Sequence, residues 1–372
     1  MTSAERHSVI RFGRPLIGDA ERAAVAEVLS GHELTRGPKV EMFEQAFAEV
    51  AGGGLAVAVS SCMAALHLTL MALKIGPGDE VIVPAMTHPA VAHAVELLGA
   101  IPVFVDASLP SGNCMPNEIN LALSPRTRCI TVVHFLGRPC DMSAIRAIAE
   151  LKGIPVIEDC ALSLGAGIDR VHTGLLSSAG CFSFYPAKHI TTGEGGMLLT
   201  RNPDLAHAVA ELRSFGLPWT PLITTLPRRI GLNCRLTEMQ AAMGIEQLKR
   251  LPVFLEERAR NWRALARKIP NYIDSEPGSH YAFSFFPDTH NVSRETIRKR
   301  LRDDGIETAV YYGHVVPLLP YYIEKYGHKR GQFPVAERIC RESLAFPVGP
   351  HLKPGDTDRI IRSYYAAILK RV

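Results

Sequence analysis

The hydrophobic positions between about residue 55 and residue 200 form short runs separated by stretches with a helical pattern. The runs are rich in Val and other strand-forming residues: LAVAVS at 55–60, VIVP at 81–84, IPVFVD at 101–106, CITVVH at 129–134, IPVIED at 154–159, CFSF at 181–184 and GMLLT at 196–200. The stretches between them include AALHLTLMALKI and MSAIRAIAELKG. Strands that alternate with helices predict an α/β fold with a mostly parallel sheet between helices. Near-continuous Val/Ile runs are typical of strands that are buried on both faces.

A different pattern begins near residue 235, where the sequence becomes long and helical (RLTEMQAAMGIEQLKRLPVFLEERARNWRALARKI). We interpret this stretch as the bridge to a second, smaller α+β domain, in which HYAFSFFPD and ETAVYY have strand-like patterns. The sequence thus predicts a large domain over 1–249, including the N-terminal segment, and a small C-terminal domain over 250–372.

The composition is that of a globular protein. The 372 residues are enough for about two domains, and 47% of them are hydrophobic while 21% are charged. The formal net charge is only +4, with no dense basic run, so the sequence gives no indication of nucleic acid as a partner. The N-terminus has no apolar core of a signal peptide, and no stretch approaches the ~18 apolar residues of a membrane span. We therefore expect a cytoplasmic protein that does not bind membranes.

The eight cysteines are scattered along the chain, without a CxxC pair or a spacing typical of metal ligands. Several lie within apolar runs, as Cys129 and Cys181 do. This pattern predicts buried, reduced thiols rather than disulfides or a zinc site, and we expect no metal.

The strongest candidate chemistry lies between residues 158 and 196. A strand ends in Asp159, another carries Ser183 and is followed by Lys188, and the Gly-rich turn GEGG follows at 193–196. Pyridoxal phosphate (PLP) needs a lysine for its Schiff base, an acid beside the pyridine nitrogen, and donors for its phosphate. Each residue alone is more often a turn or solvated residue, but together, on one rim of the predicted sheet, they favour a PLP site.

The chain resembles the DegT/StrS family of sugar aminotransferases, which have the fold type I architecture of PLP enzymes. The similarity extends almost from end to end, through blocks that follow one another in the family's order: GRPLIGDAERAAVAEVLSGHELTRGPKVEMFEQAFAEV, AVAVSSCMAALHL, GPGDEVIVPAMTH, GAIPVFVD, VVHFLGRPCDM, VIEDCA, CFSFYPAKHITTGEGG and GLNCRLTEMQAAMG. The resemblance implies that the large domain binds PLP.

It also implies roles for individual residues. Lys188 resembles the Schiff-base lysine, which is also the acid–base catalyst. Asp159 resembles the partner of the pyridinium nitrogen, and Ser183, five residues before the lysine, resembles the phosphate-binding serine. Backbone N–H groups of the loop Ser61, Cys62 and Met63, opening a helix at 64, should also bind the phosphate.

Two further cofactor contacts are implied by the resemblance. His88 lies where the family has an aromatic residue that stacks on the cofactor ring. Asn233, in GLNCR, resembles the asparagine that reaches the phosphate of the neighbouring subunit's cofactor. The family resemblance therefore implies a homodimer with shared active sites.

Both the phosphate-binding loop and the substrate side depart from the family's pattern. Cys62 and Met63 replace the Gly and Thr of the usual Ser-Gly-Thr, Leu162 replaces a Gln or His that often faces the cofactor or substrate, and Ala309 lies where an Arg is common. In contrast, Tyr312 and His314 match a segment that lines the substrate entrance in relatives.

Two histidines near these blocks are interpreted as structural. His134 follows a strand and matches the family's VH block. His189 adjoins Lys188, but neighbouring residues on an extended strand point to opposite faces, so we expect it to face away from the site.

The resemblance implies transfer of an amino group, with L-glutamate as the expected donor, to a nucleotide-linked keto-sugar or a related cyclic ketone. One alternative is PLP-dependent dehydration of a keto-sugar, a reaction for which a branch of the family has histidine in place of the lysine. Another is a regulatory protein that has kept the fold without the enzyme activity. Lys188 argues against dehydration, and the presence of Lys188, Asp159, Ser183 and Asn233 argues against a regulatory protein.

Overall fold

A sheet of seven strands forms the centre of the computed structural model, which describes residues 9–218, 226–290 and 292–369. Two shorter sheets have two strands each. In chain order, the strands are β1 (Leu55–Val59), β2 (Glu80–Pro84), β3 (Ile101–Val105), β4 (Thr127–Val133), β5 (Val156–Asp159), β6 (Gly167–Ile168), β7 (Val171–His172), β8 (Ala179–Ser183), β9 (Gly196–Thr200), β10 (Phe283–Phe285) and β11 (Leu344–Phe346).

The strand order of the large sheet is β1-β9-β8-β5-β4-β2-β3. Strand β9 is antiparallel to both of its neighbours, whereas the pairs among β8, β5, β4, β2 and β3 are parallel. The prediction of a mostly parallel sheet is therefore confirmed. Parallel strands end at the same edge of the sheet, so the loops after β4, β5 and β8 lie side by side there.

Helices cover both faces of this sheet, with α3 on one face and α2 on the other. In chain order, the helices of the described residues are α1 (Asp19–Leu29), α2 (Pro38–Val50), α3 (Cys62–Ala72), α4 (Pro89–Glu96), α5 (Pro116–Ala122), α6 (Met142–Lys152), α7 (Pro203–Leu212), α8 (Glu238–Ala266), α9 (Arg294–Asp303), α10 (Pro320–Tyr326), α11 (Pro334–Glu342) and α12 (Asp356–Leu369). Alternate residues of β1 show the two layers. Val57 and Val59 pack in the core that contains Leu66 of α3, while Ala58 packs in the core that contains Phe43 of α2.

The C-terminal part of the chain has its own core. Strands β10 and β11 pair antiparallel, and their Phe residues pack with α9 and α12. The predicted boundary at 249/250 falls inside α8, a continuous helix of 29 residues, and the division into two domains stays a prediction. The strand predicted for ETAVYY (307–312) is wrong, because within it only Ala309 pairs, in an isolated bridge with Ala345.

The eight cysteines are free thiols, and six of them are buried. Desolvation by burial raises the pKa of thiols such as Cys129 and Cys181, so they stay protonated at neutral pH. Among the described residues, none of the helices is both long and apolar enough to cross a bilayer.

Candidate active site

A cavity of about 430 Å³ opens at the carboxyl ends of β5 and β8, within the volume range of small-molecule sites. Most of the residues that the sequence predicts for the site contribute to its wall. The lining residues are Ser61, Cys62, Met63, Leu66, His88, Ala90, Val133, Asp159, Ala161, Leu162, Ser183, Tyr185, Ala187, Lys188, Glu194, Tyr281, Tyr311 and Tyr312.

Asp159 is the last residue of β5, and it is only 5% exposed. Its Oδ1 accepts a hydrogen bond of 2.9 Å from the backbone N–H of Ala161. Desolvation by burial raises the pKa of Asp159, although the Ala161 N–H and the Lys188 charge oppose this shift. Among the described residues, no cation forms an ion pair with this carboxylate, so the cavity wall presents an acid that a cationic ligand would stabilise.

Lys188 lies in the turn that follows β8, and its backbone N–H donates to the carbonyl of Tyr185 at 2.9 Å. Its Nζ lies 5.1 Å from the centre of the Tyr281 ring. The lysine therefore lines the same cavity as Asp159, as the sequence predicts, although the structure adds an aromatic neighbour beside its amine.

His189 is buried and faces away from the cavity, where its Nε2–H donates to the carbonyl of Ser279 at 3.0 Å. Burial lowers the pKa of His189 far below its usual range, so the ring is neutral. The structural interpretation of His189 holds, but its premise of an extended strand is wrong, since Lys188 and His189 belong to a turn after β8.

The N-terminus of α3 forms another wall of the cavity. The hydroxyl oxygen of Ser61 caps the helix by accepting from the N–H of Ala64 at 3.1 Å, so the helix begins at Cys62, two residues earlier than predicted. A side chain at Gly196 would place its Cβ 2.3 Å from the carbonyl carbon of Ser61. Glycine at 196 therefore allows β9 to approach this loop, which presents helix-terminal amides suited to an anion.

His88 lines the cavity and caps α4, with its Nδ1 accepting from the N–H of Ala90 at 3.2 Å. Loss of solvent around the ring lowers the pKa of His88, with Lys188 contributing in the same direction against Asp159. A neutral imidazole thus lies in the wall, 6.5 Å between ring centres from Tyr312.

One side of the cavity is aromatic and apolar. Leu162 and Tyr312 line it, whereas His314 is exposed and is absent from the lining. The hydroxyl groups of Tyr281 and Tyr311 lie 3.2 Å apart. Sequence reasoning missed both tyrosines, which are distant in sequence from the PLP blocks.

Asn233 is exposed and does not line this cavity; it forms an isolated antiparallel bridge with Ser214.

A buried polar network lies beneath Asp159. Nδ1 of His134 accepts from the N–H of Cys140 at 3.1 Å, so its Nε2 carries the hydrogen and donates to Glu158 at 2.8 Å. Glu158 also accepts from the N–H of Gly174 and from the hydroxyl of Ser177. These contacts assign His134 a structural role, in agreement with the sequence interpretation.

The chemistry of this wall fits PLP. Lys188 offers an amine, Asp159 offers a buried carboxylate for a protonated ring nitrogen, and the start of α3 with Ser183 offers donors for a phosphate. The aromatic residues leave an apolar compartment on the remaining side.

Comparison with known proteins gives a consistent result. A sequence model of the DegT/DnrJ/EryC1/StrS aminotransferase family matches residues 15–364. The spore coat polysaccharide biosynthesis protein SpsC of Bacillus subtilis (strain 168) is 34% identical over 380 residues, which cover 96% of this chain and 97% of SpsC.

Solved structures have the same fold. DesV of S. venezuelae, in complex with a ketimine intermediate, is 34% identical with a TM-score of 0.88, and the match covers 95% of each chain. The putative sugar aminotransferase Spr1654 of Streptococcus pneumoniae, in its PLP form, is 25% identical with a TM-score of 0.91, over 96% of this chain and 98% of Spr1654.

Proposed function

The chain belongs to the DegT/DnrJ/EryC1/StrS aminotransferase family, and from this membership we propose that it transfers an amino group from L-glutamate to a keto-sugar, nucleotide-linked or free, or to a related cyclic ketone. The chain is a PLP-dependent aminotransferase. A sugar acceptor is supported by the names of the relatives, which describe polysaccharide biosynthesis and sugar amination.

The observation that carries the proposal is that Asp159 and Lys188 line one cavity together with the N-terminus of α3. Bound PLP supplies an electron sink that stabilises negative charge at the carbon losing a proton. In the proposed site, the carboxylate of Asp159 would hold the proton of the ring nitrogen, and the amides of Cys62 and Met63 would bind the phosphate.

We assign the proton transfer to Nζ of Lys188. This amine would take the proton from the substrate carbon and return it after the amino group has moved. The ring of His88 would lie against the cofactor, and the tyrosine-lined wall would exclude water from the reacting carbon. Leu162 and Tyr312 are proposed to contact the acceptor. His314 is proposed to lie at the entrance through which the substrate reaches the dimer's site.

The proposal includes a homodimer. Exposed Asn233 would then bind the phosphate in the partner subunit, which makes each site depend on two chains. The cytoplasmic location expected from the sequence also stays a prediction.

The test follows the visible absorption band of the protein purified with PLP. Addition of L-glutamate should convert this band to the pyridoxamine form, and keto-sugars with and without a nucleotide should restore it. The variant Lys188→Ala should lose both changes, whereas Lys152→Ala, on the exposed end of α6, should keep them. A band that glutamate leaves unchanged while another amino acid converts it would refute the assigned donor.

A further inference from the structure

Arg258 is a buried cation that the proposed reaction does not use. It lies in α8 beneath the turn that carries Lys188, and it is only 6% exposed. Burial lowers its pKa to about 10, so the guanidinium remains charged at neutral pH. Among the described residues, no acidic side chain forms an ion pair with it. Burying a charge without a counter-ion is costly, so the hydrogen bonds of Arg258 must offset its loss of hydration.

The guanidinium bridges two backbone carbonyl groups. Its Nη1 donates to the carbonyl of Tyr281 at 3.1 Å, and its Nη2 donates to the carbonyl of Lys188 at 3.4 Å. The guanidinium of arginine suits this geometry, because its N–H donors point in fixed directions from one planar group. Arg258 therefore joins the lysine turn to a segment more than 90 residues further along the chain.

That segment, residues 279–281, is here called the strap. It crosses the loops that follow β4 and β5: the N–H of Ser279 donates to Gly137 at 3.1 Å, and the N–H of Tyr281 donates to Leu136 at 3.0 Å. The hydroxyl of Ser279 donates to the carbonyl of Leu162 at 3.0 Å. The strap is thus fixed to two loops of the large sheet. Arg258 links it to the third loop, together with the hydrogen bond from His189 to the carbonyl of Ser279.

The Tyr281 ring is the part of the strap that reaches the cavity. The centre of the ring lies 5.1 Å from Nζ of Lys188 and 6.0 Å from the guanidinium carbon of Arg258. Its hydroxyl pairs with that of Tyr311 at 3.2 Å. A change in the position of the Tyr281 backbone would therefore change the surroundings of the lysine amine.

We propose that Arg258 is a positioning residue for the reaction at Lys188, because its fork holds the lysine turn and the strap together and fixes the Tyr281 ring beside the lysine amine. The inference rests on the proposed role of Lys188. It assigns no contact between Arg258 and the substrate.

Two variants separate the fork from the charge. Arg258→Met removes both, whereas Arg258→Lys keeps a cation but has a single compact ammonium in place of the fork. Arg260→Met is the matched control, since Arg260 lies on the same helix with an exposed side chain. Three quantities are measured on the PLP-loaded proteins: the rate of the glutamate half-reaction, the dissociation constant of the donor, and Tm.

We expect Arg258→Met to slow the half-reaction by roughly 10- to 100-fold, since small misplacements of catalytic groups have effects of this size. The donor dissociation constant should change by less than about threefold, because Arg258 does not touch the donor. Arg258→Lys should not restore the rate, because a single ammonium lacks the two fixed donors that bind both carbonyl groups.

Other results would overturn the proposal. A rate in Arg258→Met equal to that of Arg260→Met, with only Tm lowered, would show a purely structural arginine. A full recovery of the rate in Arg258→Lys would show that the charge suffices and the fork is not needed.

A second pair of variants covers the case in which Arg258→Met fails to fold. Tyr281→Leu keeps the carbonyl that Arg258 binds, and it should slow the half-reaction. In the Arg258→Lys background, Tyr281→Leu should slow the reaction less than it does alone, because the ring is already misplaced. Additive effects would contradict the proposal. If the wild-type protein responds to no amino donor, the proposed function fails instead.

Discussion

The backbone N–H of Ala161 donates a hydrogen bond of 2.9 Å to Oδ1 of Asp159 and thereby fixes the direction of a buried carboxylate in the cavity wall. Burial raises the pKa of Asp159, and Lys188, which opposes this shift, forms no ion pair with it. This acid is therefore held in place for a cationic partner that enters the cavity.

Asp159→Asn is expected to keep the fold and PLP binding but to slow the glutamate half-reaction. Lys188 and the amides at the start of α3 remain, whereas the neutral amide no longer stabilises a proton on the ring nitrogen. The loss of a charged, buried contact worth about 3 kcal/mol corresponds to a roughly 100-fold lower rate. Rapid-mixing absorbance measures this rate. The exposed Asp204→Asn serves as control, and an unchanged rate in Asp159→Asn would remove the assigned role.

The strands of the large sheet could be predicted to within two residues, because buried parallel strands carry continuous apolar runs. The positions of Asp159 and Lys188 at the edge of the sheet could be predicted for the same reason. Asp159 ends one of these strands, and Lys188 lies shortly after the end of another. The ETAVYY segment could not, because its strand-like pattern arises from tyrosines that face the cavity rather than from a paired strand.

The sequence alone does not predict the contacts between segments that are distant along the chain. Tyr281 and Arg258 are brought to Lys188 only by the strap and by α8, and no local pattern marks either residue. From the sequence alone, an arginine in a helix is expected to be exposed, because arginine is rarely buried in proteins. This is why Tyr281 and the arginine that supports it were found only in the structure, whereas Tyr312 was already named from the sequence.

The pair of His134 and Glu158 should contribute more to stability than to catalysis. Both side chains are fully buried, with Nε2 and Oε2 at 2.8 Å. His134→Leu leaves the carboxylate without this donor and should lower the free energy of unfolding by about 3 kcal/mol. Adding Glu158→Gln to the His134→Leu variant should recover part of the lost free energy of unfolding, because the buried charge is then absent. Denaturant titration of the single and double variants measures both effects, with the exposed Glu150→Gln as control; strictly additive losses would contradict the coupling.

His280 should make the protein less stable in mild acid. Burial lowers the pKa of His280 from 6.5 to about 4. Between these values the unfolded chain binds more protons, so the free energy of unfolding falls as the pH falls from 6.5 towards 4. One such group contributes a slope of up to about 1.4 kcal/mol per pH unit.

His280→Phe removes this titration and keeps a ring near Trp262, whose centre lies 5.1 Å from that of His280. Its free energy of unfolding should therefore fall less steeply with pH than that of the wild type, measured by denaturant titration from pH 7 to 4.5. Buried His189 titrates in the same direction, so the slope should decrease without vanishing. Equal slopes in His280→Phe and in the wild type would refute the prediction, and the exposed His32→Asn provides the reference.

Asn233 and Lys188 should complement each other across a dimer. If Asn233 acts in the partner's site, a heterodimer of Lys188→Ala and Asn233→Ala chains contains one site with both native residues and one with neither. Random pairing of the co-expressed chains would then leave about a quarter of the sites intact. Asn233→Ala alone should bind PLP roughly 10-fold more weakly, as expected for a lost phosphate hydrogen bond.

The measurement compares three preparations: the heterodimer and the two parent homodimers. Different affinity tags on the two chains allow the heterodimer to be purified. At a PLP concentration too low to saturate Asn233→Ala, the heterodimer should show more activity than either parent homodimer. If Asn233 instead served its own subunit, the Lys188→Ala chain would lack its lysine and the other chain would lack its asparagine. No fully native site would then exist, and the mixed preparation would do no better than the Asn233→Ala protein. The outcome thus decides between a shared site and two independent ones, because the exposed position of Asn233 outside its own cavity predicts only the first.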